Sequence, residues 1–193
     1  MFLYTRENAL SSRLCKAFID AFEISDLKHP GLLYGAGEHS STRGKKSTDI
    51  TFNPSHLQHP QWGPLLSELI PVIEKGQFDY MDRHYTALSK VDTFSISSEF
   101  NMQKYNPEEG FSEWHCERGS INYNNRVLVW MIYLNTVLDR GETEFFYQHH
   151  FESAVEGKLV IWPSDWMYLH RGVPSPTQTK YILTGWFNQV SVK

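Results

Sequence analysis

Cysteine is scarce in this sequence: Cys15 and Cys116 are the only two among 193 residues. They are too few and too far apart for a disulfide framework, and a reducing, cytoplasmic setting is expected. No apolar run approaches the roughly 20 residues that a membrane-spanning helix needs. The opening Met1-Phe2-Leu3-Tyr4-Thr5-Arg6 has neither the charged start nor the long apolar stretch of a secretory leader. Cationic excess is missing too. Formal net charge is −4, and the densest basic stretch is Arg43-Gly44-Lys45-Lys46. Bulk electrostatic binding to nucleic acid is therefore not indicated. There is no internal repeat and no low-complexity tract.

Apolar and aromatic residues are plentiful. They make up 40% and 15% of the chain, enough for a sizeable core in one domain spanning residues 1–193. Two textures divide it. Residues 1–88 read as helical support with a variable loop. Ser11 caps an amphipathic helix whose Leu14, Phe18, Ala21 and Phe22 share a face. Leu33 to Asp49, rich in Gly, Ser, Thr and Lys, is expected to be a loop, and Gly35, Gly37 and Gly44 suit it to closing over a substrate. Trp62 to Leu88 has helical spacing, interrupted or bent at Pro71 and Gly76. Residues 89–193 read as short strands: Phe94–Tyr105, Arg126–Leu134, Thr143–Tyr147, Lys158–Trp162, Trp166–His170 and Lys180–Gln189. The nearly continuous apolar run from Arg126 predicts a strand covered on both faces. The fold class expected is mostly β with supporting α: a jelly roll, or double-stranded β-helix, flanked by N-terminal helices.

Within the strand-rich half, His115, Glu117, His170 and Lys180 form the informative constellation. Positions two apart on a strand share a side, so His115 and Glu117 are expected to face one metal while Cys116 points away. His170, closing the predicted Trp166–His170 strand, adds a second imidazole. Two imidazoles and a carboxylate are the ligand set of non-haem Fe(II) sites with open positions. Lys180 opens the next strand, sharing a face with Ile182, Thr184 and Trp186. A lysine deep in a barrel needs an anionic partner, and a dicarboxylate co-substrate would be one. The combined reading is an iron- and 2-oxoglutarate-dependent oxygenase. Each element alone is weak: an isolated H-x-E is common, and a lone lysine is usually solvated. His149-His150 is a poor rival, because neighbours on a strand point opposite ways. His29, His39, His56, His59 and His84 read as surface residues.

At these residues the chain resembles a known family. Gln103-Lys104-Tyr105-Asn106-Pro107 through Trp114-His115-Cys116-Glu117 is similar to the first metal motif of prolyl 4-hydroxylase-like 2-oxoglutarate oxygenases. Val129-Trp130-Met131-Ile132-Tyr133-Leu134-Asn135, Arg140-Gly141-Glu142-Thr143-Glu144-Phe145 and Gly157-Lys158-Leu159-Val160-Ile161-Trp162-Pro163 resemble its later strands, before His170 and Lys180. The resemblance implies Fe(II) on His115, Glu117 and His170, with 2-oxoglutarate as co-substrate and ascorbate as a further cofactor to consider. It implies that Lys180 pairs with the distal carboxylate of 2-oxoglutarate, with Tyr105, Tyr133 and Thr143 as further hydroxyl partners. Trp186 is expected to wall the pocket. One departure stands out: the family usually has aspartate where this chain has Glu117. A carboxylate there favours hydroxylation over halogenation.

The implied activity is hydroxylation of an unactivated C–H, foremost a prolyl residue in a peptide or protein. A free amino acid or other small molecule is the alternative substrate class. Two other kinds of protein remain open at this stage: a cupin-type metal protein without 2-oxoglutarate turnover, and a non-catalytic module in which Glu117 marks decay. No membrane partner is expected.

Overall fold

The inner and outer faces of one large sheet explain most of the pattern. The computed structural model describes residues 1–31 and 44–190. Its elements run β1 (Tyr4–Arg6), α1 (Ser12–Ile24), β2 (His29–Pro30), β3 (Thr48–Phe52), α2 (Trp62–Arg83), α3 (Tyr85–Leu88), β4 (Phe94–Ile96), β5 (Phe100–Tyr105), β6 (Arg126–Tyr133), β7 (Thr143–Phe145), β8 (His150–Glu152), β9 (Leu159–Pro163), β10 (His170–Gly172) and β11 (Lys180–Gln189). An eight-stranded antiparallel sheet has the order β1-β9-β6-β11-β5-β3-β2, with β4 also on β11; a smaller sheet is β10-β7-β8. This is the jelly roll expected, with helices on the outer face of the large sheet.

Strand alternation sorts the residues between two cores. Leu128, Trp130 and Ile132 of β6, Leu159 and Ile161 of β9, and Leu183 and Phe187 of β11 pack with Phe18, Phe22, Trp62, Leu66 and Ile73 of the helices. Their neighbours Val129, Met131 and Tyr133, Val160 and Trp162, and Ile182 form the core between the sheets, joined by Phe145. The central run is apolar throughout because helices cover one face and the second sheet covers the other.

Several boundaries differ from the sequence expectation. The first 88 residues are not only helical support, since β1, β2 and β3 extend the large sheet. The end of the expected Leu33–Asp49 loop is strand: Lys45 bridges Phe111, and β3 begins at Thr48 because Ile50 and Phe52 bury against the helices. Gly35, Gly37 and His39 lie outside the described residues. α2 runs unbroken through Pro71 and Gly76. Pro71 is exposed and costs the helix one hydrogen bond, which the buried face on either side outweighs. Gly76 marks a close approach, since a Cβ there would meet Leu159 at 2.4 Å. Trp166–Tyr168 is a short helical turn, not a strand, capped by the Asp165 carboxylate on the Met167 N–H, with Trp166 and Met167 exposed. No helix among the described residues is long and apolar enough to cross a membrane.

Candidate metal centre

His170 opens β10 rather than closing a strand, and His115 sits opposite it in an isolated antiparallel bridge. The bridge is reciprocal: His115 N donates to His170 O at 3.0 Å, and His170 N to His115 O at 2.9 Å. Such a pair sets two Cβ atoms side by side, and the imidazole centroids lie 4.4 Å apart. Glu117 follows in a turn, where its N–H and that of Arg118 donate to Ser164 O. The strand expected through His115 and Glu117 is thus one bridge plus a turn.

The ligand atoms converge. Glu117 Oε1 lies 3.7 Å from His115 Nε2 and 3.6 Å from His170 Nε2. Among the described residues this is the one cluster of three histidine, cysteine or carboxylate groups suited to a metal, its ligand atoms all within 4.8 Å. Both imidazoles are oriented through Nδ1. His115 donates to Glu113 O at 2.8 Å and His170 to Tyr168 O at 2.9 Å, which turns each Nε2 toward Glu117 Oε1. Phe111 stacks on His115 at 3.6 Å, and Trp162 meets His170 edge-on at 5.1 Å. Burial, with a smaller contribution from neighbouring His170, pushes the His115 imidazole down to about 3. Burial alone would raise the Glu117 carboxyl, but His170, His115 and Arg126 hold it at about 2. A divalent cation requires its carboxylate ionised and its imidazoles neutral, and the lowered Glu117 carboxyl and His115 imidazole suit that. These residues fit a metal.

Lys180 begins β11 opposite Tyr105 of β5. It is 4% exposed, and its Nζ donates to Gly141 O at 2.9 Å. Burial lowers the ammonium to about 8, against the opposing pull of Glu142. The other buried lysines are neutralised: Lys45 pairs with Asp49 at 2.8 Å, and Lys158 with Glu152 at 2.7 Å. No carboxylate among the described residues forms an ion pair with Lys180. A cavity of about 420 Å³ has His115, Glu117 and His170 in its lining together with Lys180, within the usual size range for small-molecule sites.

The remaining expected residues divide. Tyr105, Thr143 and Trp186 line the cavity. Tyr105 is committed to Gln103 Oε1 at 2.7 Å, and Trp186 Nε1 donates to Glu117 Oε2 at 2.9 Å. Tyr133 is not in the lining; its hydroxyl, fully buried, meets Thr143 Oγ1 at 2.7 Å and Glu152 O at 3.1 Å. It reaches the cavity through Thr143. Among the histidines read as surface, His29 lines the cavity, and His84 is wedged between the Phe2 and Tyr80 rings. His150, bonded to Glu152 at 3.1 Å, stands apart from the metal cluster.

Sequence reasoning missed the polar wall and the supports of Glu117. Asp49, Asn101 and Gln103 point into the cavity from β3 and β5. Their signal was present in the alternation of β5, where Asn101, Gln103 and Tyr105 share a face opposite Phe100 and Met102. Arg126 gave no local signal at all.

The family model described as the 2OG-Fe(II) oxygenase superfamily matches residues 100–188. The resemblance seen in the sequence holds over this stretch, which carries the three converging side chains His115, Glu117 and His170 as well as Lys180. No curated protein matches the chain in sequence. Among solved structures, a prolyl-4-hydroxylase from Pseudomonas putida is 16% identical, with a TM-score of 0.71 and coverage of 98% of this chain and 93% of that one. A prolyl hydroxylase from Trichoplax adhaerens, in complex with a hypoxia inducible factor oxygen degradation domain peptide fragment, is 13% identical with a TM-score of 0.77, covering 97% and 83%. The viral collagen prolyl hydroxylase of Paramecium Bursaria Chlorella virus-1 is 17% identical with a TM-score of 0.66, covering 98% and 97%. At these identities the likeness is one of fold.

Proposed function

We propose, from the 2OG-Fe(II) oxygenase superfamily match over residues 100–188, that this chain is an Fe(II)- and 2-oxoglutarate-dependent dioxygenase that hydroxylates a prolyl residue in a peptide or protein. The observation that carries the reading is a single cavity lined both by the His115, Glu117 and His170 cluster and by the buried Lys180, which forms no ion pair among the described residues. His115, Glu117 and His170 hold the iron through Nε2, Oε1 and Nε2. Lys180 holds the distal carboxylate of 2-oxoglutarate, whose charge offsets the cost of burying the ammonium. Thr143 offers its hydroxyl beside it, oriented by Tyr133, and Tyr105 does so if it gives up Gln103. When bound, the iron supplies oxygen chemistry: dioxygen and 2-oxoglutarate become succinate and carbon dioxide, and one oxygen atom enters the substrate C–H. The chain's own part is to orient the reactants and keep water from them, with Phe111 and Trp162 covering the imidazoles.

The solved neighbours named for prolyl hydroxylation, one of them with a bound peptide fragment, support a prolyl substrate. One observation favours the second reading, a free amino acid or other small molecule: Asp49, Asn101 and Gln103 give the cavity a polar wall. A cupin-type protein without 2-oxoglutarate turnover leaves Lys180 without a role. The test is mass spectrometry of proline-rich peptides incubated with the protein, Fe(II), 2-oxoglutarate and air, with and without ascorbate. A gain of one oxygen, matched by succinate, is expected. Succinate formation with no peptide modified moves the assignment to a small molecule. Absence of turnover and of iron binding in a folded protein ends the oxygenase reading.

A further inference from the structure

Glu117 has one more methylene and one more torsion than the aspartate usual at such a site, so its carboxylate has more ways to miss a metal. Its surroundings remove that freedom. Oε2 accepts from Arg126 Nη1 at 3.1 Å and from Trp186 Nε1 at 2.9 Å. The same Arg126 Nη1 also donates to the Glu117 carbonyl at 3.1 Å, so a single donor grips backbone and side chain of one residue. Arg126 is itself held: its guanidinium carbon lies 3.5 Å from the Trp186 ring centroid and 4.0 Å from that of Tyr123. Its side chain is 13% exposed. With Oε2 engaged twice, Oε1 is the oxygen left to face the two histidines.

We infer that Arg126 and the indole N–H of Trp186 form a latch that fits this metal site to glutamate. Both are positioning residues that act through the Glu117 carboxylate. Arg126 opens β6 and Trp186 lies on β11, which pair directly, so the latch is mounted on the two central strands rather than on the turn that carries Glu117. The inference rests on the proposed metal-binding reading of His115, Glu117 and His170. A surface ion pair would not explain why an uncharged donor and a charged one converge on the same oxygen, nor why the cation is clamped between two rings.

The test is titration of the metal-free protein with Co(II) alone, read by affinity and by the visible absorption bands, which report ligand number and geometry. Trp186→Phe keeps the ring and removes the donor; Arg126→Met keeps the stem and removes the guanidinium. Each is expected to weaken Co(II) binding by on the order of 10–100-fold and to alter the bands, with Arg126→Lys recovering part of the loss. In a Glu117→Asp background, where the shorter arm no longer spans latch and histidines, Trp186→Phe is expected to change affinity by less than about 2-fold, a coupling that independent roles would not produce. Should Arg126→Met not fold, Trp186→Phe decides alone. If the parent binds Co(II), Glu117→Ala does not, and both latch variants bind with parental affinity and bands, the latch is overturned while the metal site stands. If the parent itself binds no Co(II), the site reading falls and takes the latch with it.

Discussion

Lys180 is the residue whose charge state most directly governs the proposed chemistry. Its ammonium is held at about 8 by burial, against roughly 10.4 in an unfolded chain. Between these values the unfolded chain holds a proton that the folded one lacks, so the ligand-free protein gains stability as pH rises through that window. Binding of 2-oxoglutarate runs the other way, because the distal carboxylate needs the charged amine. Affinity of the metal-loaded protein for 2-oxoglutarate, followed by calorimetry, is expected to be flat below pH 8 and to fall up to tenfold per unit above it. Affinity that stays constant to pH 10 would remove Lys180 from the binding role. Lys180→Ala is expected to raise the 2-oxoglutarate requirement by on the order of 100-fold or more while Co(II) affinity changes little. Equal loss of both would show that the two sets of residues do not divide the work as assigned.

At the scale of elements, the site depends on how closely strands and helices approach. Gly185 of β11 is a tight point between strands: a Cβ there would lie 2.6 Å from Phe100 Cβ and 2.8 Å from the Trp130 ring. Both neighbours are buried and neither can give way cheaply. Gly185→Ala is expected to destabilise the protein by about 1–3 kcal/mol in denaturant unfolding. Since β11 carries Lys180 and Trp186, the same change is expected to weaken 2-oxoglutarate and metal binding together. Pro71 gives the opposite test. It is exposed within α2, and a mid-helix proline costs about 3 kcal/mol relative to alanine. Pro71→Ala is expected to raise the unfolding midpoint; a fall would mean that the proline shapes the helix for packing.

For the whole molecule, a metal would join the segment bearing His115 and Glu117 to β10 and so to the smaller sheet. A ligand that binds only the folded state stabilises it by about 2.7 kcal/mol at a hundredfold excess over its dissociation constant. For a chain of this size that corresponds to a rise of about 5–10 °C in the unfolding midpoint. Co(II) is expected to produce it, excess chelator to reverse it, and His170→Ala to abolish it. An unchanged midpoint at high metal concentration would mean that the folded protein does not bind the metal in preference to the unfolded chain.

How far the site was legible depends on what each feature required. His115, His170 and Lys180 were visible because their types and separations are unusual in combination, and the apolar run of β6 announced a strand buried on both sides. Alternation also held Asp49 and Gln103 on the inner faces, but a polar residue beside an apolar one reads equally as solvent-facing until the second sheet is known. The strand expected over Trp166–His170 failed because an Asp165 cap favours a turn there, with Trp166 and Met167 left exposed. The sequence by itself thus determined the element types with strong periodicity, the candidate ligands and the unusual glutamate. Tertiary structure alone decided that His115 and His170 are bridge partners, that Lys180 has among the described residues no carboxylate such as its buried counterparts have, and that Arg126 and Trp186 meet at Glu117. Those are contacts between distant segments, set by strand register and sheet closure, and local periodicity carries no information about register.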